Sequence, residues 1–445
     1  MSLPAYPSYR DSGHLWLQDV PAHWEVVAGR RLFRQVRDPS VTGDQQLSAS
    51  QKYGIIPQSL LMAREDQKVV LALNGVEGFK HVNVEDFVIS LRSFQGGIEH
   101  SAYAGCVSPA YTVLRPTYEQ VPGYYRYLLK AAPYISALQT VTDGIRDGKN
   151  ISYEQFGKVG LPLPPLSEQT AVVAFLDHET AKIDALLEEQ RRLIELLKQK
   201  RQAEISHAVT KGLDPTVPMK DSGVGWLGQV PVHWALTRLK HRAEVKGRIG
   251  FRGYTTDDLV APEEGAIALG GANLGDGKLR LDDLTYLSWR KYHESPEIMV
   301  EVGDIIMGQR GTCGKVSLVD VNIGSATINP SLVVLKEVAL NASFVRFALM
   351  ADSAQRYLES FLSKTAIPML TQEQIGNTPI CEPPLDEQQR IAHYLVEETT
   401  RIDALIAETT SAADLLIERR AALISAAVTG KVDVRGVTAQ QAEAA

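Results

Sequence analysis

The sequence of this 445-residue chain repeats itself, and the repeat restricts what the chain can fold into. The segment that begins "PPLSEQ" at Pro164 returns as "PPLDEQ" at Pro383, and 23 of the 51 aligned positions are identical. A shorter segment, "DSGHLWLQDVPAHW" from Asp11, returns as "DSGVGWLGQVPVHW" from Asp221 and matches at nine of fourteen positions. We call the two short copies the lead segments. The order of lead, variable block and conserved segment occurs twice, as in a duplicated protein.

The conserved segments are predicted to form long amphipathic helices. Each begins after a Pro-Pro pair, which suits the turn before a helix, and Ser167 and Asp386 are suitable N-caps. Apolar residues then recur at intervals of three, four and seven, the pattern of a coiled coil. About 40 residues at a rise of ~1.5 Å would give a rod roughly 60 Å long.

We predict that the two helices pack antiparallel and that any apolar stripe left uncovered docks partner helices. The alternative is that each helix packs into the core of its own domain. The residues predicted for packing between helices or with partners are Ile183, Leu186, Leu193, Leu197, Ile402, Leu405 and Leu416.

Composition and charge narrow the classes of protein. No apolar run approaches 18 residues, so no transmembrane helix is expected. The three cysteines lack metal-ligand spacing, which is typical of free thiols in a reducing compartment, and we expect a cytoplasmic protein. The net charge of −7 argues against a nucleic-acid partner. However, residues 30–38 carry four arginines against one acid, and residues 238–252 carry six Lys or Arg against one Glu.

The motifs of common enzymes are absent from the sequence. The stretch "GQRGTCGKV", Gly308–Val316, fails the spacing of a phosphate loop and lacks the hydroxyl that such a loop offers to magnesium. Neither a serine-hydrolase elbow nor a zinc-protease motif occurs. His23 and His233 stand beside tryptophan in the lead segments, where packing or hydrogen bonding is favoured over catalysis. The sequence therefore predicts a binding protein without catalytic or metal-ligating residues.

The variable blocks, 25–163 and 235–382, mix short apolar runs with glycine-rich turns and are predicted to be mixed α/β domains. Asp86–Arg92 aligns with Asp304–Arg310, and Ile151–Gly157 aligns with Leu370–Gly376, which indicates distant relatives. A doubled module suits duplex DNA, where two contact sites lie one or more helical turns apart. Arg, Lys, Asn and Gln on such loops can hold phosphates or contact base edges. The candidates are Arg30, Arg31, Arg34, Arg92, Gln95, Arg146, Lys149, Asn150, Lys246, Arg248, Arg252, Asn273, Arg310, Lys315 and Lys364.

In this order, the motifs resemble the specificity subunit (HsdS) of type I restriction–modification enzymes over nearly the whole chain. The resemblance rests on the doubled lead segments, the doubled "PPL.EQ…IDAL…IS.AVT" helices, and four block stretches: "LSASQKYGIIPQ", "GRIGFRGYTTDDL", "GGANLGDGKL" and "GDIIMGQRGTCGKV". It implies target-recognition domains at 25–163 and 235–382, conserved helices at 164–214 and 383–435, leads at 1–24 and 215–234, and a tail at 436–445.

The resemblance also implies the function of this chain and the functions of its partner subunits. It implies a DNA-binding subunit that recognises a bipartite site and positions two methyltransferase subunits, with restriction and translocase subunits as further partners. No cofactor is expected in this chain, because AdoMet, and ATP with magnesium, belong to the partner subunits. Two alternatives stay open: a stand-alone DNA-modifying enzyme, and an interaction scaffold whose blocks never touch DNA.

Overall fold

A computed structural model of the chain describes residues 3–65, 78–90, 97–141, 151–250, 253–362 and 368–436. The chain folds as two compact units, which we call unit 1 (residues 1–190 with 411–445) and unit 2 (residues 191–410). Both divisions fall inside the long helices. Each unit therefore contains one part of each conserved helix together with one lead segment and one variable block.

The helices have the following bounds, in chain order: α1 Gly29–Leu32, α2 Gln58–Glu65, α3 Pro122–Leu128, α4 Ala132–Val141, α5 Tyr153–Lys158, α6 Leu166–Lys211, α7 Trp289–His293, α8 Ala342–Met350, α9 Asp352–Glu359, α10 Gln372–Gly376 and α11 Leu385–Val428. Short 3-10 helices lie at Leu239–His241, Thr256–Asp258, Gly271–Asn273 and Pro296–Ile298. No helix in the described part of the chain is long and apolar enough to cross a membrane.

The strands of the first half are β1 Tyr9–Asp11, β2 Asp19–Pro21, β3 Glu25–Ala28, β4 Phe33–Val36, β5 Leu47–Ser50, β6 Gly54–Pro57, β7 Lys80–Val82, β8 Phe87–Ile89, β9 Ile98–His100, β10 Gly105–Val107, β11 Thr112–Pro116 and β12 Gly160–Leu163. Those of the second half are β13 Met219–Asp221, β14 Gln229–Pro231, β15 Ala235–Arg238, β16 Glu244–Gly247, β17 Leu259–Val260, β18 Gly265–Leu269, β19 Gly277–Lys278, β20 Thr285–Ser288, β21 Ile305–Gly308, β22 Val316–Leu318, β23 Ala326–Ile328, β24 Leu332–Lys336 and β25 Pro379–Glu382.

The block of unit 1 is built on an antiparallel sheet with the strand order β4-β11-β8-β9. One face of this sheet packs against α3 and α5 through edge-to-face contacts of Phe33 with Phe87, Tyr125 and Phe156. Ring contacts of this kind add to the free energy gained by burying the ring surfaces. Strand β3 pairs antiparallel with β12, so the two ends of the block are hydrogen-bonded to each other.

The block of unit 2 contains two larger sheets. One has the order β16-β24-β21-β22-β19 and the other β17-β20-β18-β23. Both include a parallel pair, β19 with β22 and β18 with β23. As in unit 1, the strands at the ends of the block, β15 and β25, pair antiparallel. The mixed α/β class predicted from the sequence is confirmed.

The two blocks share a substructure that the aligned motifs predicted. Asp86 is buried ahead of β8 and accepts from the backbone N of Asn83 at 2.9 Å. Asp304 is buried ahead of β21 and accepts from the backbone N of Glu301 at 2.8 Å. Both following strands pair antiparallel with a strand that comes after a proline, β11 after Ser108-Pro109 and β24 after Asn329-Pro330. Helices α5 and α10 both begin with a capping box.

The long helices run antiparallel in unit 2. Arg201 of α6 binds Asp403 of α11 at 2.8 Å, and Tyr394 of α11 donates to Glu204 of α6 at 3.1 Å. Moving forward along α6 thus means moving backward along α11. Helices α6 and α11 begin at Leu166 and Leu385, so Ser167 and Asp386 both lie inside the first turn and not at the predicted cap positions.

Unit 1 contains an equivalent ion pair, formed by the residues that correspond to Arg201 and Asp403 in the other copy of the conserved segment. Asp184 of α6 binds Arg420 of α11 at 2.8 Å. The offset of 219 between the conserved segments relates Asp184 to Asp403 and Arg201 to Arg420. Each unit therefore joins the Asp of one copy to the Arg of the other, which is the contact expected of two similar helices packed antiparallel.

Candidate nucleic-acid interface

Each lead segment is fixed to the first turn of a long helix by the same pair of side chains. In unit 1, Trp24 Nε1 donates to Glu168 Oε2 at 2.8 Å, and His23 Nε2 lies 2.7 Å from Glu168 Oε1. In unit 2, Trp234 Nε1 donates to Glu387 Oε2 at 3.0 Å, and His233 Nε2 lies 2.9 Å from the same oxygen. The hydrogen-bonding role predicted for the two histidines is confirmed.

Each lead segment also contacts the end of the other long helix. A Cβ on Gly430 would lie 2.4 Å from Pro21 Cδ and 3.0 Å from the Trp24 ring, and the residue has a φ of +72°. Gly212, at φ +79°, has the Trp234 ring 3.3 Å from its Cβ position. Only glycine combines this backbone with so close an approach. In each unit the tryptophan thus joins the start of one long helix to the end of the other.

The joint of unit 1 has a further donor. The Tyr6 hydroxyl donates to Glu168 Oε2 at 3.1 Å. Burial, and then the negative charge of Glu168, raise the pKa of Tyr6, so this hydroxyl keeps its proton at neutral pH. Glu168 is buried and accepts from both Tyr6 and Trp24.

The predicted DNA contacts of unit 1 that the structure describes lie together on one short stretch. Arg30 and Arg31 are in α1, Arg34 is in β4, and all three side chains are exposed. Within the described residues, none of the three guanidinium groups forms an ion pair or a side-chain hydrogen bond. Three exposed cations on one short stretch, without carboxylate partners among the described residues, are suited to hold phosphate groups.

In unit 2, Arg310 and Lys315 lie on the hairpin loop between β21 and β22, and both are exposed. The loop is anchored by main-chain hydrogen bonds, Arg310 N to Ser331 O at 3.1 Å and Leu370 N to Gln309 O at 2.8 Å. The guanidinium of Arg310 rests against the Met369 sulfur at 3.3 Å. These two cations are therefore presented on a loop whose backbone is fixed.

Three other candidates of unit 2 are already engaged within the protein. Arg248 is buried, and its guanidinium donates to Ile328 O at 3.2 Å and to Thr327 Oγ1 at 3.1 Å. Asn273 is buried and uses its amide to hold its own loop, accepting from Gly270 N and donating to Arg280 O. Lys246 forms an ion pair with Glu244 at 2.9 Å. Arg248 and Asn273 thus serve as structural residues in this fold.

The remaining predicted DNA contacts lie outside the described residues. They are Arg92, Gln95, Arg146, Lys149, Asn150, Arg252 and Lys364. Most of the tail predicted after Arg435 also lies outside them.

The residues predicted for helix packing divide into two groups. Ile183 and Ile402 are buried, at 5% and 1% exposure, and Leu197 and Leu416 are half-buried. By contrast, Leu186, Leu193 and Leu405 are 44%, 43% and 39% exposed. The long helices therefore carry exposed leucines on part of the predicted stripe, and apolar side chains at such positions are suited to a partner helix.

Sequence reasoning missed Glu168 and Glu387 as the acceptors of the joints, and Asp184, Arg201, Asp403 and Arg420 as the ion pairs between helices. One signal could have found them, because all of these residues are identical in both copies of the conserved segment. No cluster of three or more His, Cys, Asp or Glu side chains that could hold a metal ion occurs among the described residues.

Comparison with known proteins gives a consistent set of similarities. Residues 293–410 match the family model of the type I restriction modification DNA specificity domain. The chain is similar to the type I restriction enzyme MjaVIII specificity subunit of Methanocaldococcus jannaschii, with 22% identity over 429 residues that cover 94% of this chain and 95% of that protein.

Two solved structures share the fold. A chain from a study of complex assembly and conformational transition in the type I R-M system aligns with a TM-score of 0.71 and 17% identity, covering 93% of this chain and 99% of that one. The HsdS subunit from Thermoanaerobacter tengcongensis aligns with a TM-score of 0.52 and 18% identity, covering 93% of this chain and 98% of that one.

Proposed function

The chain is related to the specificity subunits of type I restriction–modification enzymes, and from this premise we propose that it is the DNA-recognition subunit of such an enzyme. It binds a DNA site made of two separated parts and assembles with the subunits that act on the DNA. The observation that carries the proposal is that each unit holds a different variable block on the same scaffold, a lead segment joined to Glu168 or Glu387. Two different variable blocks on equivalent scaffolds are suited to a DNA site whose two halves differ in sequence.

In this proposal the exposed cations of each block make the first contact with DNA. Arg30, Arg31 and Arg34 in unit 1, and Arg310 and Lys315 in unit 2, hold phosphate groups or reach base edges. The net charge of −7 does not oppose this, because local clusters of cations set the field at the contact surface. Arg248 and Asn273 take no part, since their polar groups are used within the fold.

The long helices are proposed to dock two methyltransferase subunits, and restriction subunits join the same assembly. Exposed leucines on these helices, Leu186, Leu193 and Leu405, supply apolar contact area. Chemistry on DNA then belongs to the partners, with AdoMet in the methyltransferase subunits, and this chain contributes recognition and positioning without catalysis.

The proposal is tested by mapping methylated adenines across the genome with and without the gene for this chain. We expect methylation at one two-part sequence motif to disappear when the gene is deleted and to return on complementation. An unchanged methylation map would contradict the proposal. Incubating the purified chain alone with AdoMet and DNA separates it from a self-contained enzyme, because methyl transfer without partners would favour that alternative.

A further inference from the structure

Two short helices occupy equivalent places in the two units. In unit 1, the backbone N of Val121 donates to Gln169 Oε1 at 2.9 Å, just before α3 begins. In unit 2, the backbone N of Asn341 donates to Gln388 Oε1 at 2.9 Å, just before α8 begins. Gln169 and Gln388 are the same position of the conserved segment. Each short helix is thus anchored on the first turns of a long helix, and in both units an arginine follows five residues after the anchor.

In unit 1 this arginine is neutralised. Arg126 Nη2 binds Asp177 Oδ1 of α6 at 2.7 Å. The Tyr127 hydroxyl donates to the same carboxylate at 2.6 Å and lies 3.2 Å from Thr180 Oγ1. A carboxylate, a guanidinium and two hydroxyls therefore form one satisfied network.

In unit 2 this network keeps the arginine and the threonine, here Thr399, but has lost the carboxylate and the tyrosine hydroxyl. Val396 stands where Asp177 stands in unit 1, and Phe347 replaces Tyr127. Arg346 is 5% exposed, its guanidinium carbon lies 4.0 Å from the centroid of the Phe347 ring, and no carboxylate lies within ion-pair distance of it among the described residues. Its Nη1 and Nη2 donate to Gly277 O at 3.3 Å and Ser343 Oγ at 3.2 Å, but its Nε is buried without a hydrogen-bond partner among the described residues. A buried cation of this kind is costly unless an anion accompanies it.

The same arginine lines a cavity of about 150 Å³ within unit 2. Lys278, Arg201, Thr399 and Thr400 also line it. Burial lowers the pKa of Arg346 to about 10; the negative charge of Asp320 opposes this shift and the positive charge of Arg201 adds to it, and Arg346 stays charged at neutral pH. Three cations thus share one small cavity.

The carboxylates nearby do not cancel these charges. Asp403 also lines the cavity, but both its oxygens are bound by Arg201, at 2.8 and 3.2 Å. Asp276 lines it with an exposed side chain and accepts from Arg201 through its backbone oxygen. Among the lining residues, three cations therefore face two carboxylates, one of which is already bound by Arg201, and the lining keeps an excess of positive charge.

We propose that this cavity binds a phosphate-sized oxyanion, which contacts Arg346 and Lys278 and takes the place that the Asp177 carboxylate holds in unit 1. The oxyanion binds to α8 and β19 of the variable block, in a cavity that residues of both long helices also line. Binding stabilises that unit and holds its block on the helices. The phosphate group comes either from inorganic phosphate or from a DNA backbone.

The first test uses inorganic phosphate and calorimetry on the full chain. Phosphate should raise the melting temperature of the unit 2 transition by about 2–4 °C and saturate at millimolar concentration, whereas chloride of equal ionic strength should not. An equal shift in both salts would overturn the proposal, because it would reflect ionic strength alone.

The decisive variant is Val396→Asp, which restores the carboxylate of unit 1 at a position that is 39% exposed. It should raise the melting temperature in chloride and abolish the response to phosphate. Lys278→Gln, at an exposed side chain, should raise the half-saturating phosphate concentration at least about fivefold, by loss of one charge-assisted contact. Lys198→Gln, an exposed lysine of the same helix as Arg201 that does not line the cavity, is the matched control and should respond like the unmodified chain. A Val396→Asp chain that responds to phosphate as the unmodified chain does would overturn the proposal.

A short mixed-sequence duplex in phosphate-free buffer identifies the source. If Val396→Asp and Lys278→Gln weaken duplex binding, and inorganic phosphate competes with the duplex, the oxyanion is a backbone phosphate. If duplex binding is unchanged while the phosphate response is lost, the oxyanion is free phosphate. Because the calorimetric test needs no target sequence, its result is independent of the proposed recognition function.

Discussion

At the scale of single residues, Glu168 shows how a surface-type side chain becomes structural. Its carboxylate accepts from Trp24 and Tyr6, lies 2.7 Å from His23 and is approached by Arg435 at 3.5 Å. Only 8% of the side chain is exposed. A buried carboxylate is tolerated only when donors replace the water that it has lost, and here four side chains do so.

Replacing Glu168 by Ala should destabilise unit 1 strongly. The change leaves the buried Trp24 and Tyr6 donors without an acceptor, and we expect a loss of about 2–4 kcal/mol in the free energy of unfolding. Calorimetry of the full chain measures it as a lower melting temperature of the unit 1 transition.

Glu168→Gln and Glu387→Ala serve as the controls for that experiment. The first keeps an acceptor oxygen and should lose less than half as much. The second removes a carboxylate that is 16% exposed and is bound by Trp234 and His233 alone among the described residues, so its effect should fall between the two and appear in unit 2. Equal melting temperatures for Glu168→Ala and the unmodified chain would show that the joint is not a source of stability.

His81 makes the stability of unit 1 depend on pH. Its Nδ1 lies 2.9 Å from Asp44 Oδ2, and this hydrogen bond, opposed by burial, raises the pKa of His81 above its ordinary value. A raised pKa means that the folded state favours the protonated ring. The contribution is therefore complete below about pH 6.5, the ordinary value, and is lost as the pH rises through the higher folded value.

The expected result is a difference in melting temperature between the unmodified chain and Asp44→Asn that is larger at pH 6 than at pH 8. Melting curves at half-unit pH steps measure it. In a His81→Gln background the same comparison should show no pH dependence. A difference that stays constant from pH 6 to pH 8 would mean that His81 does not titrate against Asp44 in this range.

At the scale of elements, the long helices were predictable and the block sheets were not. The apolar period of the segments after Pro164 and Pro383 extends over many turns, and helices appear at Leu166–Lys211 and Leu385–Val428. In the blocks the strands have two to five residues and pair with partners far along the chain, as β4 does with β11. Such short strands carry too few residues to show a period of two.

The roles of side chains in the blocks were also only partly predictable from the sequence. Arg248 belongs to a basic stretch and was predicted to bind DNA, but its surroundings bury it against Thr327, 79 residues away. The link from Trp24 to Glu168 spans 144 residues, which no local pattern reveals. Residue type predicts what a side chain can bind, whereas tertiary contacts decide whether it is available.

The exposed leucines of the long helices give a prediction about assembly. Leu193→Glu changes a side chain that is 43% exposed, so it should shift the melting temperature by less than about 1 °C. If the helices dock methyltransferase subunits, a charge in the apolar contact should weaken that association at least about tenfold. Analytical ultracentrifugation of the mixed subunits measures the association.

Ile183→Ala is the matched control on the same helix, because Ile183 is 5% exposed. It should lower the melting temperature of unit 1 by removing core contacts, with a loss of about 2–4 kcal/mol in the free energy of unfolding, while the folded chain still binds partners. Unchanged partner binding by Leu193→Glu would place the docking surface elsewhere.

At the scale of the whole molecule, the contacts explain why the helices of the two copies stay alike while the blocks differ. Asp184 binds Arg420 and Arg201 binds Asp403, so each ion pair joins one copy to the other. A change in either copy of the helix must suit a residue in its counterpart. Among the described residues, the strands of each block pair only with strands of the same block. In a chain built in this way, the variable blocks can change in sequence while the helices that hold them stay the same.

If each block contacts its own half of the DNA site, as proposed, substitutions in the two blocks should have separate effects on DNA binding. Arg31 is an exposed cation of unit 1, and Arg310 is one of unit 2. In the complex with methyltransferase subunits, Arg31→Ala and Arg310→Ala should each weaken binding about 5- to 100-fold, the range of a lost phosphate or base contact. Because the two side chains belong to different blocks, each variant should change the base preference in only one half of the site, and the two variants should affect different halves. Selection of bound duplexes from a random-sequence library measures both quantities.

Lys246→Ala is the control, since this lysine is already paired with Glu244 and its loss should leave binding within about twofold. Two variants that alter the same bases would refute the assignment of one block to each half-site.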